Sequence, residues 1–124
     1  MAHAMVVDDS RTIRKLLTET LKDLGYEVSE AENGRVALNT LQAAEVPVNV
    51  ILTDWNMPEM DGLEFLKHVR GEERFEKVPI IMVTTETEAE HMVKALEAGA
   101  NEYVMKPFTS DILTDKLRIA GVAV

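Results

Sequence analysis

The chain has 124 residues, of which 46% are hydrophobic and 28% charged, and its formal net charge is −9. These values are typical of one compact domain, and the scarcity of clustered Lys and Arg argues against nucleic acid as a direct partner. The absence of cysteine excludes disulfides and thiolate metal sites. No signal-peptide pattern or membrane-spanning apolar run is present, so we expect a cytoplasmic protein without membrane insertion.

Short β-branched runs alternate with longer helical patterns along the chain, starting with a predicted strand over residues 4–7. Asp8 and Asp9 follow this strand, and either Asp9 or Ser10 is suited to cap a helix that ends near Gly25. A second strand, residues 27–31, leads to Asn33 as the next cap. Apolar residues at helical spacing predict the inward faces of these two helices: Ile13, Leu16, Leu17, Leu21 and Leu24 in the first, and Ala37, Leu38 and Leu41 in the second.

The third predicted strand, residues 48–53, stops at Asp54 and is followed by turn-forming residues, among which Asp61–Gly62 is expected to form a turn. Residues 79–83 form a fourth strand that ends at Thr84, and residues 103–105 a fifth that ends at Lys106. Thr109 or Ser110 caps the last helix. The remaining helices are predicted to bury Leu63, Leu66 and Val69, then Met92, Val93 and Leu96, then Ile112, Leu113 and Leu117.

Polar side chains follow the ends of four predicted strands. Five β–α units predict an α/β fold, a doubly wound parallel sheet with five helices and right-handed connections. Asp8–Asp9, Asp54, Thr84 and Lys106 each fall at the carboxyl end of a different strand. Because those ends share one edge of an open parallel sheet, where ligands bind, the sequence predicts a single polar site there.

The chemistry of that site follows from its charges. Asp8, Asp9 and Asp54 would repel one another unless a cation intervened. Mg²⁺ and Lys106 together would bring the site near neutrality, and oxygen ligands without His or Cys favour Mg²⁺ over a transition metal. A carboxylate is also a nucleophile toward phosphorus, so these residues, with the Thr84 hydroxyl, predict phosphoryl transfer to an aspartate.

Five motifs occur in order through essentially the whole chain: Asp8–Asp9–Ser10, Thr53–Asp54–Trp55–Asn56–Met57–Pro58, Met60–Asp61–Gly62, Val83–Thr84 and Lys106–Pro107–Phe108. This ordered set resembles the receiver domain of bacterial response regulators, and most of all the stand-alone chemotaxis regulators. The resemblance implies one receiver domain over residues 1–124 without an output domain. It also implies a flavodoxin-like sheet with the strand order 2-1-3-4-5.

The resemblance assigns the acceptor and the metal ligands. It implies that Asp54 accepts the phosphoryl group and binds Mg²⁺ directly together with Asp9. Asn56 would bind the metal through its backbone carbonyl, and Asp8 through a water molecule. Lys106 would pair with the phosphoryl oxygens, and its bond to Pro107 would be cis.

The resemblance also assigns switch and tuning residues. Thr84 would turn its hydroxyl toward the phosphoryl group, and Tyr103 would move inward as the second switch residue. Asn56 and Glu86 would flank the group and influence its hydrolysis. Thr85 is bulkier than the Ala or Gly of many relatives, so we expect it to obstruct water and slow dephosphorylation.

In function, the resemblance implies two-component signal transduction. A sensor histidine kinase of the chemotaxis (CheA-like) kind would supply the phosphoryl group, and a downstream protein such as the flagellar motor switch would read the phosphorylated state. A phosphatase is a further expected partner. The protein would be a monomer that catalyses only its own phosphorylation and dephosphorylation, and so is no enzyme acting on external metabolites.

Other functions are open or less well supported. The chain could be a phosphorelay intermediate that passes the phosphoryl group to a histidine phosphotransfer domain, or an interaction module that is not phosphorylated. An Asp-dependent phosphatase would need a second Asp two residues after the nucleophile, where Ser10 and Asn56 occur. Asp8–Asp9 would repel the phosphate of a flavin. His3, His68 and His91 are scattered and receive no role, and Trp55 is assigned only the role of a reporter.

Overall fold

The structure is a computed structural model that describes residues 2–45 and 47–124. Its centre is a sheet of five parallel strands in the order β2-β1-β3-β4-β5, which confirms the predicted topology. The strands are β1 His3–Val7, β2 Glu27–Ala31, β3 Val50–Thr53, β4 Ile80–Thr84 and β5 Glu102–Met105. The predicted third strand was two residues too long, because residues 48 and 49 precede the paired segment.

Within the described ranges, five α-helices connect and cover the strands: α1 Arg11–Asp23, α2 Gly34–Ala43, α3 Gly62–Arg70, α4 Ala89–Glu97 and α5 Ser110–Ile119. A short 3₁₀ turn, Glu73–Phe75, was not predicted. Gly25 ends the α1 region with a φ of 94°, the left-handed conformation expected there. Within the described residues, no helix is both long and apolar enough to cross a membrane.

In the part of the chain that the structure describes, four of the five α-helices begin with a side-chain cap. Ser10, Asn33, Asp61 and Thr109 each accept a hydrogen bond from the backbone N–H three residues later. Ser10 and Thr109 are therefore the caps among the predicted pairs, and Asp61 caps α3 rather than forming a separate turn. In the described chain, the residue before α4, Glu88, makes no such bond.

The core forms two layers, one on each face of the sheet. Successive strand residues point to opposite faces, so Met5 and Val7 of β1 join one layer while Ala4 and Val6 join the other. The first layer packs against α2, α3 and α4, and the second against α1 and α5. Both faces are covered, so every residue of β3 and β4 is buried, and each strand is apolar up to the threonine at its end.

Four residues predicted to face inward are exposed instead: Leu16 at 49%, Val93 at 51%, Leu96 at 45% and Ile112 at 48%. Each helix buries a narrower stripe than its apolar pattern suggested. The buried apolar positions are Leu17 and Leu21 in α1, Ala95 in α4, and Leu113 and Leu117 in α5. These predictions were wrong because apolar residues beside the buried stripe remain in solvent.

Candidate functional site

The site is built by the strand register at the carboxyl edge, the edge of the sheet formed by the carboxyl ends of the strands. Val7 of β1 pairs with Thr53 of β3, so the next residues, Asp8 and Asp54, lie side by side. The Asp54 N–H donates to the Val7 carbonyl at 2.8 Å and extends the pairing by one residue. The two carboxylates are thus placed by backbone hydrogen bonds of the sheet itself.

Lys106 joins these two carboxylates. Its Nζ donates to Asp8 Oδ2 at 2.7 Å and to Asp54 Oδ2 at 2.9 Å. All three side chains are largely buried, with exposed fractions of 10%, 0% and 9% for Lys106, Asp8 and Asp54. Asp9 is exposed, but one of its carboxylate oxygens lies within 4.8 Å of those of Asp8 and Asp54. The structure therefore brings the predicted acidic residues and the predicted lysine together.

Burial and charge shift the protonation of this cluster. Burial raises the pKa of Asp8, and the hydrogen bonds from Lys106 and from the Ser10 N–H only partly offset it. Burial alone would lower the pKa of Lys106, but its bonds to Asp8 and Asp54 outweigh that effect and raise it. Lys106 is charged at neutral pH, and the three carboxylates together still favour an added cation.

The donor set fits Mg²⁺. Three carboxylates converge on one small volume, and an ion there would relieve the cost of burying Asp8 as an anion. The Mg²⁺ site that the resemblance implies needs hard oxygen ligands, and the carboxylates of Asp8, Asp9 and Asp54 supply them. Asn56 follows two residues after Asp54 in the same loop, so its backbone is close in sequence to the cluster.

Residues 54–61, here called the acceptor loop, are held by their backbone. The Gly62 N–H donates to the Trp55 carbonyl at 2.8 Å, and the Trp55 N–H donates to Asp54 Oδ1 at 2.6 Å. A Cβ atom at Gly62 would overlap the Asp54 carbonyl oxygen. Gly62 is therefore needed for close backbone approach, a role that the sequence analysis missed because a glycine after Asp also suits an ordinary turn.

Residues 85–88, here called the switch loop, are centred on Glu86. Its N–H donates to Thr84 Oγ1 at 3.3 Å, its carbonyl accepts from the Tyr103 hydroxyl at 2.7 Å, and its Oε1 accepts from Asn56 Nδ2 at 2.7 Å. Thr84 is fully buried, whereas Thr85 is exposed. The predicted switch and tuning residues other than Thr85 thus form one network beside the acidic cluster.

Tyr103 lies inside the protein in this structure. Its exposed fraction is 5%, and burial, with contributions from Glu86 and Asp54, raises its pKa to about 12. Tyr103 therefore already has the inward position that the resemblance implies for the second switch residue. The Lys106–Pro107 peptide bond is cis, as the resemblance implied.

His91 is a neighbour of the site that the sequence analysis left without a role. Its ring packs edge-on against Trp55 with the ring centroids 5.0 Å apart, and its Nε2 lies 3.6 Å from Glu86 Oε2. This contact depends on how the switch loop returns the chain toward Trp55 before α4 begins. No local sequence pattern around residue 91 signals such a contact.

Comparison with known proteins agrees with this geometry. The sequence model of the family described as "Response regulator receiver domain" matches residues 4–118. The chemotaxis protein CheY1 of Helicobacter pylori is 49% identical over 116 residues, which cover 93% of each chain. A chemotaxis protein CheY homolog of Campylobacter jejuni is 51% identical over 114 residues, covering 91% of this chain and 87% of its own.

Solved structures show the same likeness. The chemotaxis response regulator CheY4 of Vibrio cholerae superposes with a TM-score of 0.89 at 42% identity, covering 97% of this chain and 98% of that one. A CheY-like receiver domain protein of Methanospirillum hungatei superposes with a TM-score of 0.85 at 30% identity, covering 95% and 91%. The chain belongs to the response regulator receiver domain family.

Proposed function

We propose that this receiver domain accepts a phosphoryl group on Asp54 and thereby switches a protein-binding surface in chemotaxis signalling. The observation that carries the proposal is the shared hydrogen bonding of Lys106 to Asp54 and Asp8 beside the exposed Asp9. It supports the proposal because a carboxylate that can act as a nucleophile, a positive charge and oxygen atoms that could bind a cation lie in one volume. The similarity to chemotaxis proteins of two other bacteria supports the signalling context.

In the proposed transfer, a carboxylate oxygen of Asp54 attacks the phosphorus of a phosphohistidine on a sensor kinase. The new P–O bond forms as the P–N bond breaks, and the leaving imidazole nitrogen keeps the electron pair and takes a proton from solvent. Lys106 moves one donor from the carboxylates to a phosphoryl oxygen, which offsets charge at the reacting group. The backbone of the acceptor loop keeps Asp54 in place meanwhile.

Asp8, Asp9, Asp54 and the backbone carbonyl of Asn56 are the residues that would hold Mg²⁺. When bound, the ion would neutralise charge between the carboxylates and the incoming phosphoryl group. Asp8 keeps its Oδ1 engaged by the Ser10 N–H at 2.8 Å, which orients its carboxylate toward the cluster. The protein residues thus position the acceptor, and the reaction adds no external substrate other than the phosphoryl donor and water.

The proposed output is a change in exposed apolar surface. Thr84 would release the Glu86 N–H and donate to the phosphoryl group, which would shift the switch loop and α4. In the described chain, five apolar side chains on α4, β5 and α5 are each more than two-fifths exposed: Val93, Leu96, Met105, Ile112 and Ile119. A flagellar motor switch protein that binds this face in one state only would read the phosphorylation.

The acceptor assignment is tested with Asp54→Asn, using Asp61→Asn as the matched control because Asn also caps a helix. Wild type and control should incorporate phosphoryl groups from acetyl phosphate with Mg²⁺, whereas Asp54→Asn should not. Trp55 fluorescence should change with Mg²⁺ and again with beryllofluoride, and the second change should be lost in Asp54→Asn. Incorporation into the folded Asp54→Asn variant at the same site would contradict the proposal.

The output assignment requires a binding measurement. Beryllofluoride should increase binding to the flagellar motor switch protein, and a Val93→Ser variant on the exposed face should weaken it. Rapid transfer of the phosphoryl group to a histidine phosphotransfer domain, without binding to the switch protein, would instead support a phosphorelay intermediate.

A further inference from the structure

The Asn56–Glu86 hydrogen bond ties the acceptor loop to the switch loop. Asn56 follows Asp54 by two residues and Glu86 follows Thr84 by two, and their side chains meet at 2.7 Å between Nδ2 and Oε1. Asp54 is buried, whereas Asn56 is an exposed residue. Because β3 and β4 are neighbours in the sheet, this bond joins the two loops at the carboxyl edge, beside the acceptor.

His91 contacts the other oxygen of the same carboxylate. Its Nε2 lies 3.6 Å from Glu86 Oε2, and its Nδ1 lies 3.7 Å from an oxygen of Glu88. The Nδ1 atom is buried and, among the residues that the structure describes, has no hydrogen-bond partner. The ring is held by Trp55, which it meets at an interplanar angle of 82°. Packing, rather than a hydrogen bond of its own, therefore aims the imidazole at Glu86.

We infer that His91 is a positioning residue that sets the lifetime of the phosphoryl group by holding Glu86 in its bond to Asn56. Both oxygens of the Glu86 carboxylate have a neighbour: the Asn56 amide donates a hydrogen bond to Oε1, and the His91 imidazole lies beside Oε2. With the imidazole removed, the partly exposed carboxylate turns toward solvent more often, since a single polar contact there is weak. Water then reaches the acceptor more freely. The inference rests on the proposed function, because it concerns hydrolysis at Asp54.

Removal of the His91 imidazole should change the rate of hydrolysis rather than the stability of the fold. Among the residues that the structure describes, His91 makes no hydrogen bond or ion pair with Asp54 or Lys106, and its side chain is 28% exposed. A polar contact between partly exposed groups contributes little free energy, so its loss should change the rate of hydrolysis by about twofold to fivefold. The contact with Trp55 gives the same residue a spectroscopic signature, because loss of the imidazole changes the surroundings of the indole.

The experiment compares His91→Phe, which keeps an aromatic ring against Trp55 but has no ring nitrogen, with His91→Gln, which restores a donor. Each variant is loaded with acetyl phosphate and Mg²⁺, the donor is removed, and the decay of phosphorylated protein is followed. Decay should be about twofold to fivefold faster in His91→Phe and close to wild type in His91→Gln. His68→Phe, a substitution of an exposed histidine on α3, is the matched control and should leave decay unchanged.

A double-mutant cycle separates positioning from packing. Glu86→Gln keeps an acceptor for Asn56 but removes the charge that faces His91, so adding His91→Phe to it should change the decay little. Additive effects, or decay in His91→Phe equal to or slower than wild type, would overturn the inference. His91→Leu provides a second variant without nitrogen if His91→Phe does not fold. Failure of wild type to incorporate phosphoryl groups would overturn the proposed function as well, whereas normal incorporation with unaltered decay overturns only the role of His91.

Discussion

The acceptor loop and the switch loop leave neighbouring strands, yet they are held in different ways. The acceptor loop is fixed by backbone bonds, including the Gly62 N–H to the Trp55 carbonyl and the Gly34 N–H to the Met60 carbonyl at 3.0 Å. Met60 is also 1% exposed and packs into the core. The switch loop is held mainly by side chains of Thr84, Tyr103 and Asn56. One loop holds the proposed phosphoryl acceptor in place, and the other can exchange its hydrogen-bond partners.

The strongest test of this comparison is Gly62→Ala. The added methyl group would overlap the Asp54 carbonyl oxygen, so the backbone of the acceptor loop would have to move. We expect a loss of about 3 kcal/mol in the free energy of unfolding, measured with urea, and a large loss of phosphorylation. Gly71→Ala is the control, because a Cβ there meets neighbours at 3.4 Å, an ordinary contact. Equal stability of the two variants would contradict the backbone argument.

Lys106→Met removes the positive charge that pairs with both Asp8 and Asp54. Asp8 and Asp54 would then lie together in a buried site without their shared cation. We expect the free energy of unfolding at neutral pH without Mg²⁺ to fall by about 2 kcal/mol, and part of this loss to be recovered when Mg²⁺ is added. Phosphorylation should be at least about tenfold slower. Lys116→Met, which breaks the more exposed pair with Glu102, should cost less than about 1 kcal/mol. A larger loss in Lys116→Met would oppose this reasoning.

Thr85→Ala tests whether a side chain of the switch loop changes hydrolysis without changing stability. Thr85 is exposed, so the free energy of unfolding should change by less than about 0.5 kcal/mol. The smaller side chain should admit water to the phosphoryl group and speed its hydrolysis by about threefold to tenfold. The decay of phosphorylated protein measures this directly. An unchanged lifetime would remove Thr85 from the tuning residues.

The smallest expected effect is a pH dependence of stability that belongs to Asp8. Its pKa in the folded protein lies above the ordinary value of 3.8, so protonation favours the folded state. This contribution is fully present below the unfolded pKa and is lost as pH rises through the folded pKa. Without Mg²⁺, wild type should therefore gain stability relative to Asp8→Asn as the pH falls from 7 toward 4.

Urea unfolding at several pH values, with Asp115→Asn at an exposed position as the control, measures this difference. A constant difference between wild type and Asp8→Asn across the range would contradict the assigned direction of the shift.

The strand ends of the site were readable from the sequence, because a polar residue directly after an apolar run marks the point where a strand leaves the core. Asp8, Asp54 and Lys106 were placed correctly for this reason. What could not be read were contacts between separate segments. The close approach at Gly62 and the packing of His91 on Trp55 depend on the paths of two loops.

Helix faces were the other source of error. Val93 and Leu96 continue the apolar pattern of α4, yet the small residue Ala95 is the one that is buried. Sequence periodicity finds the helix and its approximate face, but the width of the buried stripe depends on how the helix packs on the sheet. The exposed side chains that result lie where a partner surface is proposed.

The uncapped start of α4 has a consequence of its own. In the described structure, α4 is the one α-helix whose preceding residue makes no side-chain cap bond, and the switch loop leads directly into it. Its first turn can therefore unwind or add a residue at less cost than the first turn of any capped neighbour. A rearrangement of the switch loop would then lengthen or shorten α4 at its first turn, while the other four α-helices keep their ends.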